Sequence, residues 1–215
     1  MKKLRKFSEE KENEEVDVMS VIDMVQKTEP RVTGVYGDIN EEKASEVVYG
    51  LMLLHGDGLE PQQFEAPFDK DVGGANIGEP IDFYISTHGG SATEMFAIYD
   101  AIRSIRDLTP IRTHGLGKVM SAGVLLLAAG TKGARKIGKY CRIMIHGVVA
   151  GQHGFIADVE NEFTETKYTQ KMYIEALSAE TNMNEKYIKK LLSKNKNIYL
   201  DAEEAVNLGI ADIIV

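Results

Sequence analysis

Strand-type runs alternate with helical runs along most of this chain, and this alternation constrains its fold more than any other feature. The run RVTGVYGDI (31–39) precedes a segment (40–54) whose apolar residues recur at helical spacing. A second run, IDFYIS (81–86), precedes a helix whose start carries the capping-box pattern of Ser91 and Glu94. Strands that alternate with helices at this spacing predict an α/β fold with a mainly parallel sheet.

The rest of the chain continues the pattern. Further strands are predicted around PIRTHGL, at CRIMIHG and at the C-terminal end, and helices over about 157–179, about 184–192 and just before Gly209. Asn40 is expected to cap the first long helix, and Gly209 to follow the last one. The first strand is expected to end in a turn at Gly37-Asp38.

Length and composition divide the chain into one domain and two irregular segments. With 215 residues, 43% of them hydrophobic, the chain is large enough for a full core, which we assign to 31–215. Residues 1–30 are densely charged with few apolar side chains, which predicts a mobile segment. Residues 56–79 are rich in Gly, Pro and Asp and have no period, which predicts a long inserted loop.

Charge and cysteine content exclude several classes of function. A net charge of −8 argues against nucleic acid as a partner, and no apolar run reaches the roughly 18 residues that a membrane span needs. Cys141 is the single cysteine, so an intrachain disulfide and a cysteine zinc cluster are excluded. We interpret Cys141 as a buried residue that packs like an apolar side chain, and a reactive thiol is the alternative. A single cysteine is typical of a reducing compartment, so we expect a cytoplasmic protein. We expect it to bind no metal and no cofactor.

Three polar positions directly follow predicted strands, where a parallel sheet places its functional loops. They are the His-Gly-Gly of 88–90, Ser121 and His146. Ser121 lies where a helix should begin, and the small residues Ala122 and Gly123 after it leave room for a substrate carbonyl. The dipole and the free N–H groups of a helix start favour developing negative charge.

Each position also has an ordinary structural explanation when it is considered alone. Ser121 can be a buried or capping serine, the glycine pair a plain turn, and His146 a histidine of the core. A serine nucleophile needs a base, for which histidine is the usual residue, together with donors for the oxyanion and a group that orients the imidazole. Composition and periodicity do not show that these residues meet in space.

Four segments, in order, resemble the proteolytic subunit of the Clp protease family of serine peptidases. They are YISTHGGSATEMFAIYDAI, GLGKVMSAGVLLLAAGTKGAR, RIMIHGVVAGQHG and NIYLDAEEAVNLGIADIIV. The resemblance covers about Thr33 to the C-terminus except for the loop between His55 and Pro80, and it includes the spacing of 25 residues from Ser121 to His146.

The resemblance implies a fold and a set of roles. The fold would be a crotonase-like ββα spiral with a protruding strand-helix handle over about 147–180. Ser121 would attack the scissile carbonyl, and His146 would act as general base and then as general acid. The backbone N–H groups of Gly90 and Ala122 would form the oxyanion hole.

The resemblance also implies partners. Peptide substrates would bind as an added strand along the segments near Gly90 and Gly147. The subunit would assemble into a double ring and hydrolyse peptides without ATP, whereas folded substrates would need an AAA+ unfoldase.

One departure from the family pattern concerns the catalytic acid. Its position, two residues before the aromatic residue of the last segment, holds Asn197, and a small insertion leaves Asn195 and Ser193 as alternatives. An asparagine carbonyl can orient an imidazole but supplies no negative charge. The alternative function is therefore a weakly active or inactive ring subunit that assembles with an active paralogue. Acyl-CoA enzymes of the crotonase type, which share the fold, are a further alternative.

Overall fold

A computed structural model describes residues 30–59, 78–193 and 196–215. The predicted mobile segment lies outside these residues except for Pro30, and so does most of the predicted loop over 56–79. At the edges of that loop, the first helix continues to Asp57, and Gly78 rejoins the described chain with its N–H bonded to the carbonyl of Leu108 at 2.7 Å.

The described residues form seven strands and six helices. The strands are β1 (Val32–Ile39), β2 (Ile81–Gly90), β3 (Ile111–Met120), β4 (Lys136–Ile137), β5 (Arg142–Ile145), β6 (Ile198–Leu200) and β7 (Ile213–Ile214). The helices are α1 (Glu41–Asp57), α2 (Ala92–Ile105), α3 (Ala122–Ala128), α4 (Ile156–Glu180), α5 (Glu185–Leu192) and α6 (Ala202–Asn207). The alternating architecture confirms the predicted α/β class.

The strands form one sheet that is parallel except at one edge. Its order is β1-β2-β3-β4-β7, and β5 also pairs with β3 in parallel and with β6 in antiparallel orientation. β3 therefore has two neighbours on one side: His114 and Gly115 pair with β4, and residues 118–120 pair with β5. This fork places the end of β3 beside the end of β5, immediately before Ser121 and His146.

The core lies on one face of this sheet, beneath α3. Ile81, Phe83 and Ile85 of β2 point to this face and are buried, and every residue of α3 is buried as well. A Cβ atom on Gly123 would lie 2.5 Å from the Thr87 side chain, so the glycine lets α3 approach β2 closely. An apolar helix enclosed on all sides holds the residue at its N-terminal end in a fixed place.

The predicted turn at Gly37-Asp38 is wrong. β1 continues to Ile39, and Gly37, with φ 83°, lies at a register shift between Tyr36 and Asp38 against β2. The Gly-Asp pair therefore forms a β-bulge, because the parallel neighbour β2 continues to supply backbone partners beyond it.

The predicted caps at Asn40 and Gly209 are confirmed, whereas the capping box at Ser91 forms only in part, because the Ser91 N–H donates to the Ile39 carbonyl at 2.9 Å and not to the Glu94 side chain. Asn40 caps α1 by accepting a hydrogen bond from the Lys43 N–H at 2.9 Å, and Ser91 accepts one from the Glu94 N–H at 3.4 Å. Gly209, which has φ 73°, directly follows Leu208, the C-cap residue of α6. β4 and β6 were not predicted, because two or three residues are too few to show a period.

A helix occupies most of the predicted handle, and the handle strand stays a prediction. α4 spans 25 residues, and its start is exposed, with Phe155 at 84% and Ile156 at 79% of their full surface. Residues 147–155 form no strand, since none of the described strands lies beside them to complete a ladder. No helix in the described part of the chain is both long enough and apolar enough to cross a membrane.

The C-terminal end of α4 is anchored by the fully buried carboxylate of Glu180. This carboxylate accepts hydrogen bonds from Tyr99 at 3.0 Å and from Arg103 at 2.9 Å, both on α2, and from Arg106, the C-cap residue of α2, at 2.9 Å. Burial raises the pKa of the Glu180 carboxyl, but the bonds from Arg106 and Arg103 outweigh it, so the pKa lies below its ordinary value. The Glu180 backbone carbonyl also accepts a bond from Arg135 at 2.8 Å.

The Glu180→Gln variant should therefore be unstable. Removing one partner of a buried ion pair leaves Arg106 without its counter-ion, and we expect a loss of about 3 kcal/mol in the free energy of unfolding at pH 7. Because the folded pKa is lowered, the wild-type contribution is present above the ordinary carboxyl pKa and is lost as the pH falls through the folded pKa. The difference between variant and wild type should therefore shrink in acid, as measured by urea denaturation at several pH values.

The matched control is Glu175→Gln, in the same helix but with a half-exposed carboxylate. It should change the free energy of unfolding by less than about 0.5 kcal/mol. A loss at pH 7 no larger in Glu180→Gln than in this control would contradict the anchoring role of Glu180.

Candidate active site

Ser121 has an unusual backbone conformation at the junction of β3 and α3. Its φ is 54° and its ψ −120°, which makes it the one residue other than glycine with positive φ in the described part of the chain. Its N–H donates to the carbonyl of Met144 in β5 at 2.8 Å, and its side chain makes no capping bond to α3. The explanation as a capping serine is therefore wrong, and the strained conformation is of the kind that is common at functional sites.

Two glycines at the end of β2 allow this strand to pass directly beside Ser121. A Cβ atom on Gly89, which has φ 107°, would lie 2.6 Å from the Ser121 Cβ. A Cβ atom on Gly90, with φ 152°, would lie 2.1 Å from the Ile39 carbonyl oxygen of β1. The pair is therefore required by close packing and is not simply a turn.

Ser121 and His146 line one cavity of about 200 Å³. The predicted oxyanion residues, Gly90 and Ala122, also line it. The rest of the cavity wall is formed by seven further residues: Ser91, Ala92, Met95, Gly147, Val148, Val149 and Tyr173. The structure thus brings together four residues that the sequence distributes over three segments.

Asn197 is placed next to His146 by the pairing of β6 with β5. Ile198 pairs with Ile145 in this antiparallel ladder, so the next residues outward, Asn197 and His146, face each other. Both line a second cavity of about 360 Å³, together with Gln170. Within residues 30–59, 78–193 and 196–215, no direct hydrogen bond joins the side chains of Ser121, His146 and Asn197.

The two alternatives to Asn197 are placed differently. The Ser193 hydroxyl, at the end of α5, donates to the Lys190 carbonyl at 3.0 Å and does not line either cavity. Asn195 lies outside the described residues. The geometry of the described chain therefore favours Asn197 among the three.

Two other histidines contact residues outside the cavity, and the single cysteine is buried. His114 contacts Asp82 at 2.7 Å, and His55 contacts Thr109 at 2.7 Å. Cys141 is buried, which raises the pKa of its thiol to about 11 and favours the apolar interpretation over a reactive thiol. Among the described residues, no group of His, Cys, Asp and Glu side chains is arranged to hold a metal ion.

Sequence reasoning missed two residues of α4 that contact the site. Tyr173 is 4% exposed, and its hydroxyl donates to the Ser121 carbonyl at 3.4 Å. Gln170 accepts a hydrogen bond from the Val148 N–H at 3.2 Å. The sequence contains no signal for either contact, because a buried aromatic residue and a polar residue three positions apart are ordinary in a helix.

The Gly89→Ala variant tests how closely β2 and Ser121 pack. Gly37→Ala is its matched control, since Gly37 also has positive φ but a Cβ atom there would have open space around it. The backbone strain shared by both variants should cost about 1 kcal/mol. The collision with Ser121 should cost Gly89→Ala about 1–3 kcal/mol more, measured by urea denaturation. Equal losses in the two variants would contradict the close packing.

Comparisons with known proteins agree with this geometry. A family model described as Clp protease matches residues 74–215. The ATP-dependent Clp protease proteolytic subunit of Borreliella afzelii (strain PKo) is 29% identical over 185 residues, which cover 86% of this chain and 83% of the relative. The ATP-dependent Clp protease proteolytic subunit 2 of Corynebacterium jeikeium (strain K411) is 30% identical over 86% of this chain and 78% of the relative. The chain therefore belongs to the Clp protease family, and it is a peptidase with that family's fold.

Proposed function

We propose that this chain is a serine endopeptidase subunit that cleaves peptides and unfolded proteins, with Ser121 as the nucleophile and His146 as the general base. The observation that carries this proposal is the shared cavity, in which a serine with a strained backbone and a strand-end histidine line the same wall. The family assignment supports it, because the matched region includes both residues.

The chemistry follows from the positions of these groups. His146 removes the proton from the Ser121 hydroxyl, whose oxygen attacks the scissile carbonyl. The backbone N–H groups of Gly90 and Ala122 stabilise the negative charge that develops on the carbonyl oxygen. His146 then protonates the leaving amine, and water hydrolyses the acyl-enzyme with His146 again as base. No step uses ATP or a cofactor.

Asn197 is proposed as the residue that orients His146. Its side-chain oxygen can accept a hydrogen bond from one imidazole nitrogen, which fixes the tautomer that the base needs. The facing positions of the two residues across β5 and β6 support this assignment. Because an amide is neutral, it stabilises the imidazolium cation less than a carboxylate does.

Substrate binding is proposed to occur by strand addition beside the cavity. Gly90 and Gly147 both line the cavity and belong to different segments, and residues 147–155 have no partner strand among those described. An extended peptide laid between these segments would place a carbonyl near Ser121.

Assembly and location are proposed from the family and from the surface of α4. Large apolar side chains are exposed around the start of this helix, at Phe155, Ile156 and Phe163, and burial between two rings would remove them from water. The relatives carry the name ATP-dependent, which supports an AAA+ unfoldase as partner for folded substrates. The single, buried Cys141 supports a reducing compartment, the cytoplasm.

The second candidate function is a structural ring subunit that assembles with an active paralogue. The neutral Asn197 beside His146 favours it, since the base then lacks a charged partner. Peptide hydrolysis by the purified chain distinguishes the two functions, because only the first predicts turnover without another subunit. The acyl-CoA alternative is not retained, since the chain belongs to the Clp protease family.

A fluorophosphonate probe tests the nucleophile. We expect labelling at Ser121, identified by mass spectrometry, and no labelling of Ser121→Ala. Hydrolysis of a short fluorogenic peptide should fall at least about 10³-fold in this variant. Ser104→Ala, which removes an exposed hydroxyl on α2, is the matched control and should keep both properties. Equal labelling of wild type and Ser121→Ala would show that the nucleophile is a different residue.

The Asn197→Asp variant tests the orienting residue. A carboxylate at this position should keep kcat for the peptide or raise it, by up to about tenfold, because it keeps the acceptor and adds charge stabilisation. Asn195→Asp adds the same charge at the alternative position and serves as the comparison. A large loss of kcat in Asn197→Asp, or a gain only in Asn195→Asp, would refute the assignment of Asn197.

A further inference from the structure

We propose that Gln170 and Tyr173 of α4 are positioning residues that hold the segments carrying His146 and Ser121 in their reactive arrangement. We call these two side chains the α4 clamp. The proposal rests on the proposed function, since it assigns these residues a role in the same reaction. Neither residue needs to touch the substrate, because each acts through a backbone group of the site.

Tyr173 fixes the peptide group that follows Ser121. Its side chain is 4% exposed, and its hydroxyl donates to the Ser121 carbonyl at 3.4 Å. The Val124 N–H donates to the same carbonyl at 3.0 Å, and the peptide group before Ser121 is fixed by the bond to Met144 at 2.8 Å. Ser121 is thus held from both sides in a conformation that is unfavourable for a residue with a side chain.

The direction of the Ser121 hydroxyl depends on these two peptide groups. In a strained residue, a small rotation of either group turns the Cα–Cβ bond and moves the oxygen away from the base. Because a misplacement of about 1 Å can cost a large factor in rate, a bond that fixes the carbonyl contributes to the reaction and not only to packing.

Gln170 performs the corresponding task for the histidine segment. Its side-chain oxygen accepts a hydrogen bond from the Val148 N–H at 3.2 Å, two residues after His146. A Cβ atom on Gly147 would lie 2.9 Å from the same oxygen, so the glycine gives this side chain access to the backbone. Residues 147–155 do not pair with any described strand. The hydrogen bond from Val148 to Gln170 therefore fixes the start of this segment in place of strand pairing.

The spacing within α4 couples the two contacts. Residues three positions apart lie on the same face of a helix, one turn from each other. Gln170 and Tyr173 therefore move together when α4 moves, and the anchored Glu180 fixes the C-terminal end of the same helix. One rigid element thereby sets the position of the nucleophile segment relative to the base segment.

Variants that remove only the polar atoms test the clamp in the full chain. Tyr173→Phe deletes the hydroxyl, and Gln170→Met deletes the acceptor while keeping a side chain of similar length. Each should lower kcat for the peptide and the rate of fluorophosphonate labelling about fivefold, with KM changed by less than about twofold. Gln170→Glu, which keeps an acceptor oxygen, should restore most of the activity lost in Gln170→Met.

Amide hydrogen exchange provides a readout that does not depend on activity. The Val148 amide should exchange about fivefold faster in Gln170→Met than in wild type. Tyr168→Phe is the matched control, because it removes the hydroxyl of a tyrosine of the same helix that is 54% exposed, and it should leave kcat unchanged.

The outcomes separate the clamp from the proposed function. If the wild type is labelled at Ser121 and the Tyr173 and Gln170 variants match Tyr168→Phe in kcat and exchange, the clamp is overturned and the proposed function stands. If the wild type is neither labelled nor active, the proposed function fails and the clamp has no reaction to serve. A lowered kcat with unchanged KM and faster exchange supports both.

Discussion

The backbone of Ser121 is the constraint on which the rest of the structure depends. A residue with a side chain enters the left-handed region only when its surroundings impose this conformation, and here three surroundings do so. Its N–H is bonded to β5, its carbonyl is bonded within α3 and to Tyr173, and the glycine of β2 leaves no space on its other side. The buried α3 prevents relaxation, because an enclosed apolar helix cannot rotate without opening cavities.

The fork in the sheet places the constrained Ser121 beside His146. β3 leaves β4 and joins β5 near its end, so the residues that follow β3 and β5 become neighbours. The antiparallel β6 then adds Asn197 beside His146. The three side chains are thus ordered by strand pairing, and the glycines at the end of β2 complete the wall. In the proposed assignment, the amide of Asn197 stands where the family pattern has a carboxylate.

Much of this arrangement could be predicted from the sequence. The alternation of runs predicted the parallel sheet, and Asn40, Ser91 and Gly209 were recognised because capping chemistry is local. Ser121, His146 and Gly90 were predicted as site residues from their places after strands and from the resemblance, and the structure places them around one cavity. The bulge at Gly37 was mistaken for a turn, because whether a Gly-Asp pair ends a strand depends on the neighbouring strand. The handle strand stays a prediction, because a strand needs a partner and the described residues of this single chain supply none there.

The sequence by itself determined which segments become strands and helices, where several helices begin, and which residue types are available for chemistry. These properties depend on apolar periodicity and on hydrogen bonds between near neighbours in the chain. Only the tertiary structure decided that Asn197 faces His146, and that Gln170 and Tyr173 reach the backbone of the site. Those contacts join residues that are distant in the chain, and they depend on strand register and helix packing. The sequence pattern of any single segment does not encode these two properties.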